Sequence, residues 1–414
     1  MKRALSVLLA AVLLMMLSVP ALADQHAAEY LSEYCNVTIP EEITAESFNR
    51  ILTALGQEPV DAETLTPADV CVAAVRLAGM EEFALTFVSD RHPEKAAEVL
   101  EDYSVTPDYD VEVEEAVAPY VAAALELGYV YNDEFYEPIT AEGVARTLYC
   151  ALEDAGLGRR YIGRVFDEGI RAKLAATLNG DIIFDEPVMT ELGTEIVLRG
   201  ATTGYGLKYA GDDAHFLQDY TLKYSHSDLD HALQLVALLR SEDIDGYIQI
   251  EPKVSVYEYM LDWGEPGDPT PTYQVKQVTE DRYLAYAVEY DMMIEFDTLE
   301  DKEAFHGIIE DYAKKYDSSF DGEGNLTAKL IAGSWWQPLY SSTTEMRNEE
   351  YEMLVDNVVY DETGSFSIHP FSVPENTEAI EAVVAEVAPQ LTVSPVTIYA
   401  NPAFHRYITG SDYQ

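Results

Sequence analysis

Tyr220-Thr221-Leu222-Lys223-Tyr224 and Gly246-Tyr247-Ile248-Gln249-Ile250 flank a stretch of helical pattern, and reading the three together decides the fold. Both pentapeptides carry aromatic and β-branched residues in strand-like runs. Between them Ser227 stands where a helix N-cap belongs. Asp230, three residues on, is its capping-box partner, and the helix runs to about Ser241.

The same alternation of strand and helix continues downstream. Residues 283–296 are strand-rich and 299–316 form an amphipathic helix. Residues 351–360 and 365–373 predict a hairpin, because Glu362-Thr363-Gly364 supplies a turn. A helix over 377–388 and a strand over 396–399 complete the pattern. Residues 206–414 are therefore expected to form an α+β domain with helices over a mixed sheet. Residues 161–205 read as a connector. It holds a helix over 166–178 ended by Asn179-Gly180, and β-like pieces at 182–184 and 195–198.

Composition bounds the rest. A chain of 414 residues has room for two or three domains, each with a core. Lys and Arg total 25 against 75 Asp and Glu, a formal charge of −50. A field of that sign repels nucleic acid and anionic membrane, which argues against both as partners. Cys35, Cys71 and Cys150 are odd in number and show no zinc-type spacing. They read as small buried hydrophobes, with one disulfide as the alternative.

Lys2 and Arg3 precede an apolar run over 5–17, then Pro20 and Ala21-Leu22-Ala23. This is the pattern of a secretory signal peptide over residues 1–23, cleaved before Asp24. The protein is expected to be secreted, extracellular and cell-wall associated. No later apolar run approaches the ~18–20 residues that span a bilayer.

Residues 24–160 read as all-helical. Ile43-Thr44-Ala45-Glu46, Leu65-Thr66-Pro67-Ala68-Asp69 and Ile139-Thr140-Ala141-Glu142 each put Thr at an N-cap and an acid in the first turn. Each opens an apolar stretch at helical spacing, such as Phe48, Ile51, Leu52 and Leu55. Ahead of the third phrase a helix over 117–127 ends at Gly128, followed by an acidic loop.

These residues resemble the S-layer homology (SLH) family. Tyr120 to Val130, then Phe135, then Pro138-Ile139-Thr140-Ala141-Glu142 carry the resemblance best. It spans roughly residues 38–155. It implies a helical SLH-like module that attaches to cell-wall polysaccharide. The family's Arg after the Thr is missing: Ala45, Pro67 and Ala141 stand near that place.

Several constellations could carry chemistry. Asp228, Asp230 and His231, with His215 and His226 nearby, suit a binding site or an acid–base pair. They also suit a plain acidic helix start. Residues 228–250 weakly resemble a transglutaminase-like core. Asp228 stands at the nucleophile position, and the strand at 286–291 lacks the expected His, so the resemblance implies no thiol catalysis. Asp317 to Asn325 resembles a calcium loop, but position twelve is Ala328. Calcium is thus the one cofactor considered; otherwise none is expected. Trp335, Trp336 and Tyr340 form an aromatic cluster that suits sugar stacking or a core. No P-loop, GxGxxG, GxSxG or HExxH occurs. The expectation is a secreted, non-catalytic cell-envelope protein whose α+β domain binds or spaces. An extracellular hydrolase using carboxylate and His side chains is the alternative.

Overall fold

The structure, a computed structural model, describes residues 26–88, 92–109, 111–178, 180–226, 228–310, 339–347 and 350–410. The expected signal peptide, the calcium-like loop, Trp335, Trp336 and Ser227 lie outside these. The chain divides into one unit ending at Arg159 and a second beginning at Arg160.

The first unit is helical: α1 (Ala27–Cys35), α2 (Ala45–Ala54), α3 (Pro67–Leu77), α4 (Glu81–Leu85), α5 (Lys95–Asp102), α6 (Ala118–Glu126) and α7 (Ala141–Asp154). Thr44, Thr66 and Thr140 are the N-caps of α2, α3 and α7. Thr66 Oγ1 accepts from Asp69 N at 3.3 Å, and Asp69 Oδ2 accepts from Thr66 N at 2.8 Å, a full capping box. The exits repeat too. Gly128 sits at φ +73°, and Tyr129 N reaches back to Ala124 O at 2.9 Å, the Schellman closure of α6. Gly56, Gly79 and Gly156 end α2, α3 and α7 in the same way. Phe48, Leu52, Val75, Leu148 and Leu152 fill the core. Cys35, Cys71 and Cys150 are all free thiols. Burial pushes the Cys71 thiol up, as expected of a small core residue.

The second unit corrects the expected mixed sheet. Its strands are β1 (Gly163–Arg164), β2 (Gly204–Tyr209), β3 (Thr221–His226), β4 (Gly246–Tyr259), β5 (Tyr273–Gln277), β6 (Tyr283–Phe296), β7 (Leu339–Ser342), β8 (Glu352–Tyr360), β9 (Phe366–Ser372) and β10 (Val393–Ala400). Every pairing among the described residues is antiparallel. In the order β4-β2-β9-β8-β10-β7-β3-β6, eight strands close, because β6 pairs back onto β4. The result is a barrel, with β1 and β5 added outside the closed ring. Closure removes both sheet edges, which a mixed sheet would leave open.

The helices are α8 (Ile170–Leu178), α9 (Pro187–Leu198), α10 (Leu229–Ser241), α11 (Leu299–Glu310), α12 (Thr377–Val387) and α13 (Pro402–Ile408). Residues 195–198, read above as β-like, are the last turn of α9, and 182–184 form no strand.

Alternation along the strands sorts the barrel into an apolar outside and a polar inside. Leu222, Ile248, Ile250, Met292 and Ile294 face outward under α8, α10 and α11, where Leu174, Leu235, Leu239 and Phe305 meet them. Leu207, Val254, Val256 and Leu284 face outward under α9 and α12, against Leu192, Ile196, Ile380 and Val384. Gly193 lets α9 approach closely: a Cβ there would lie 2.4 Å from the Tyr205 ring. Side chains one position along each strand point into the lumen. At one end of the lumen Leu354, Ile398 and Phe404 of α13 form a small apolar cluster.

Candidate binding site in the barrel lumen

Cross-strand pairing places the lumen residues. Lys208 stands opposite Lys253, and Gly206 opposite Ser255. Lys253 stands opposite Glu289, and Glu251 opposite Asp291. Asp291 in turn stands opposite Ser225. Partners on neighbouring strands share a face, so these polar groups converge.

The deep part is an ion network. Lys208 Nζ donates to Glu251 Oε2 at 2.8 Å and also pairs with Asp291. Lys253 Nζ donates to Asp291 Oδ1 at 2.6 Å and to Ser225 Oγ at 3.2 Å. Glu251 Oε1 accepts from Ala214 N at 2.9 Å, which ties in the loop between β2 and β3. Burial alone would raise the Asp291 carboxyl. Lys208, Lys253 and Lys223 outweigh it and hold Asp291 well below the usual carboxylate range. Burial likewise opposes the Lys208 charge, and Asp291 and Glu251 overcome it.

A second chain of contacts runs through β8 and β9. His369 Nδ1 lies 2.9 Å from Asp356 Oδ2, and His369 Nε2 lies 2.9 Å from Ser367 Oγ. Burial raises the Asp356 carboxyl, but the His369 ring beside it brings it below its ordinary value. Ser367 is 4% exposed.

Next to the ion network is a cavity of about 830 Å³, a size typical of small-molecule sites. Lys253, Ser225, Ser255, Tyr257 and Glu289 line it on the barrel side. Gly204 and Gly206 line it on β2: a Cβ at Gly206 would meet only Lys253 Cδ at 3.4 Å, whereas one at Gly204 would lie 2.6 Å from Val256 O, so β4 approaches closely there. Phe371, Phe404, Tyr407 and Trp263 supply apolar and aromatic walls. Trp263 is 43% exposed and stands edge-on to Tyr259 at 5.5 Å. Arg282 also lines the cavity; its Nε donates to Glu258 Oε1 at 2.9 Å. Ser255 Oγ donates to Glu289 Oε2 at 2.6 Å.

The residues singled out in the sequence lie elsewhere. Asp228 is the N-cap of α10 and accepts from Asp230 N at 2.8 Å. His231 Nδ1 lies 2.5 Å from His226 Nε2, and His226 Nδ1 accepts from Asp228 N at 2.7 Å. Burial pushes the His226 ring down to about 3, with His231 adding to the effect. Tyr340 is fully buried; its hydroxyl lies 2.6 Å from His306 Nδ1 and its ring meets Phe305 edge-on. It is a core side chain, with no face open for sugar stacking. Among the described residues no group of three or more His, Cys, Asp or Glu is arranged to hold a metal ion. No described helix is long and apolar enough to cross a membrane.

The helical unit holds a smaller hollow of about 120 Å³, lined by Val70, Phe135, Pro138, Thr140 and Val144. Beside it Arg146 donates to Glu134 Oε2 at 2.5 Å and to Tyr129 O at 3.0 Å, with Tyr131 stacked on its guanidinium at 4.1 Å. These contacts occupy the charge of Arg146.

No known protein family, curated protein or solved structure matches this chain.

Proposed function

We propose that this chain is a secreted cell-envelope protein whose barrel binds a small polar ligand in its lumen without transforming it. The helical unit serves for attachment to cell-wall polysaccharide. One observation supports the binding role above all: the 830 Å³ cavity where Lys253, Ser255, Tyr257 and Glu289 converge beside aromatic walls. Clustered hydroxyl, carboxylate and ammonium groups suit a ligand rich in hydroxyls, and Trp263 and Tyr407 suit the flat faces of sugar rings. The attachment role rests on the signal-like residues 1–23 and the SLH-like phrases of the helical unit.

Two experiments test this. Calorimetric titration of the purified protein with soluble wall saccharides should show binding at one site, lost in Tyr257→Ala. Co-sedimentation with purified walls should be strong for the wild type. It should survive Tyr257→Ala if the helical unit is the anchor. Wall binding that disappears with Tyr257 would transfer the anchor to the barrel.

The hydrolase reading keeps one observation in its favour. Ser367, His369 and Asp356 stand in the order that activates a serine nucleophile, with both links at 2.9 Å. Ser367 lines no part of the cavity described above. A fluorophosphonate probe decides between the readings. Labelling mapped to Ser367 would favour hydrolysis, and an unlabelled Ser367 favours binding alone.

A further inference from the structure

Of the charged side chains that line the cavity, Lys253, Glu258, Arg282 and Glu289, one has no ionic partner among the described residues. Lys208 and Lys253 are met by Glu251 and Asp291, and Arg282 is met by Glu258. Glu289 accepts a hydrogen bond from Ser255, and among the described residues no cationic side chain pairs with it. Lys253, its cross-strand partner, has turned to Asp291. Glu289 is partly buried and lines the cavity, so its carboxylate faces the space a ligand would fill. Tyr257 lies close enough for the Glu289 charge to act on its hydroxyl, and Tyr407 is close by as well.

Resting on the lumen reading above, we propose that the ligand carries a primary ammonium group, which Glu289 recognises. The ammonium would donate to the Glu289 carboxylate and to the Ser255 hydroxyl, and lie against the Tyr257 ring. A carboxylate set beside aromatic faces is a recognition pattern for organic cations, because ion pairing and ring quadrupole act on the same charge. Hydroxyls elsewhere on the ligand would meet Ser225 and Lys253. An amino sugar satisfies both demands, and so in part does a small diamine.

The test titrates the full-length purified protein with three probes: a glucosamine disaccharide, its N-acetylated counterpart, and an alkyl diamine of similar length. The expected result is that the free amine disaccharide binds about tenfold or more tighter than the acetylated form, since a charge-assisted hydrogen bond is lost on acetylation. Glu289→Gln, with an unchanged melting temperature, should erase that difference. A diamine weaker than the disaccharide would assign the site to amino sugars; equal binding would assign it to the ammonium alone. Equal affinity of the acetylated and free disaccharides would overturn the ammonium inference. If that common affinity also fell in Trp263→Ala, the lumen would remain a saccharide site. Absence of binding by all three probes would overturn both. The contrast between probes needs no variant, so it stands even if Glu289→Gln fails to fold.

Discussion

Lys253 and Glu289 are cross-strand partners in the β4–β6 ladder, yet the Lys253 ammonium is turned to Asp291, 2.6 Å away. That choice shapes the lumen. Two lysines and two acids close into a buried network, and Glu289 is left facing the cavity with only Ser255 as a hydrogen-bonding neighbour among the described residues. Without Lys253, Lys208 alone would face both Glu251 and Asp291, leaving one buried negative charge in excess. Lys253→Met should therefore cost about 3 kcal/mol or more in urea unfolding. A cost below about 1 kcal/mol would place the pair in water rather than in a dry lumen.

Acid should unfold the barrel through the same groups. Asp291 and Asp356 are held below the ordinary carboxylate value in the folded state. The unfolded chain then binds protons first as pH falls, so their contribution is complete above about pH 4 and is lost below it. Stability measured against pH should fall through this window. Asp291→Asn should flatten the slope, at the expense of stability at neutral pH.

His226 should stay neutral well into the acid range. Burial pushes its ring down to about 3. An ordinary His gains its proton near pH 6.5. Protonation thus favours the unfolded chain as pH drops below that value, and stability declines with it. By NMR, the His226 ring protons should show no titration step between roughly pH 5 and 8. A step near 6.5 would mean that the contact with His231 opens in solution.

Gly193→Ala sets helix propensity against packing. Alanine gains about 1 kcal/mol over glycine within a helix. Here the new Cβ would fall within 2.4 to 2.7 Å of the Tyr205 ring, which is only 3% exposed. Overpacking of this kind costs about 1–3 kcal/mol, so the variant should be less stable on balance. A stabilised variant would show that the Tyr205 ring moves freely.

What was legible in the sequence were local signals. Thr44, Thr66 and Thr140 announce their helices, and Tyr283 to Phe296 reads as the strand it is. Barrel closure was not legible, because it depends on β6 returning to β4, a long-range pairing without a local mark. Strand β4 hid its second half for a related reason. Glu251-Pro252-Lys253 resembles a strand end, yet Glu251 and Lys253 are buried lumen residues. Pro252 is tolerated one residue beyond the last β2 partner, where β4 has no neighbour on that side. The signal was present: Ile248, Ile250, Val254 and Val256 alternate with Gln249, Glu251, Lys253 and Ser255. Reading it required accepting that the polar face could be the inner one. Glu289, the residue proposed to recognise the ligand, is one of 75 acids, so composition could not single it out.

The most direct test of a ligand-binding lumen is amide hydrogen exchange of the full chain with and without a digest of wall saccharides. Slowed exchange should appear together in residues 253–263, 371–376 and 402–409, which line one cavity but are far apart in sequence. Protection confined to the helical unit, with these three segments unchanged, would contradict a binding role for the barrel.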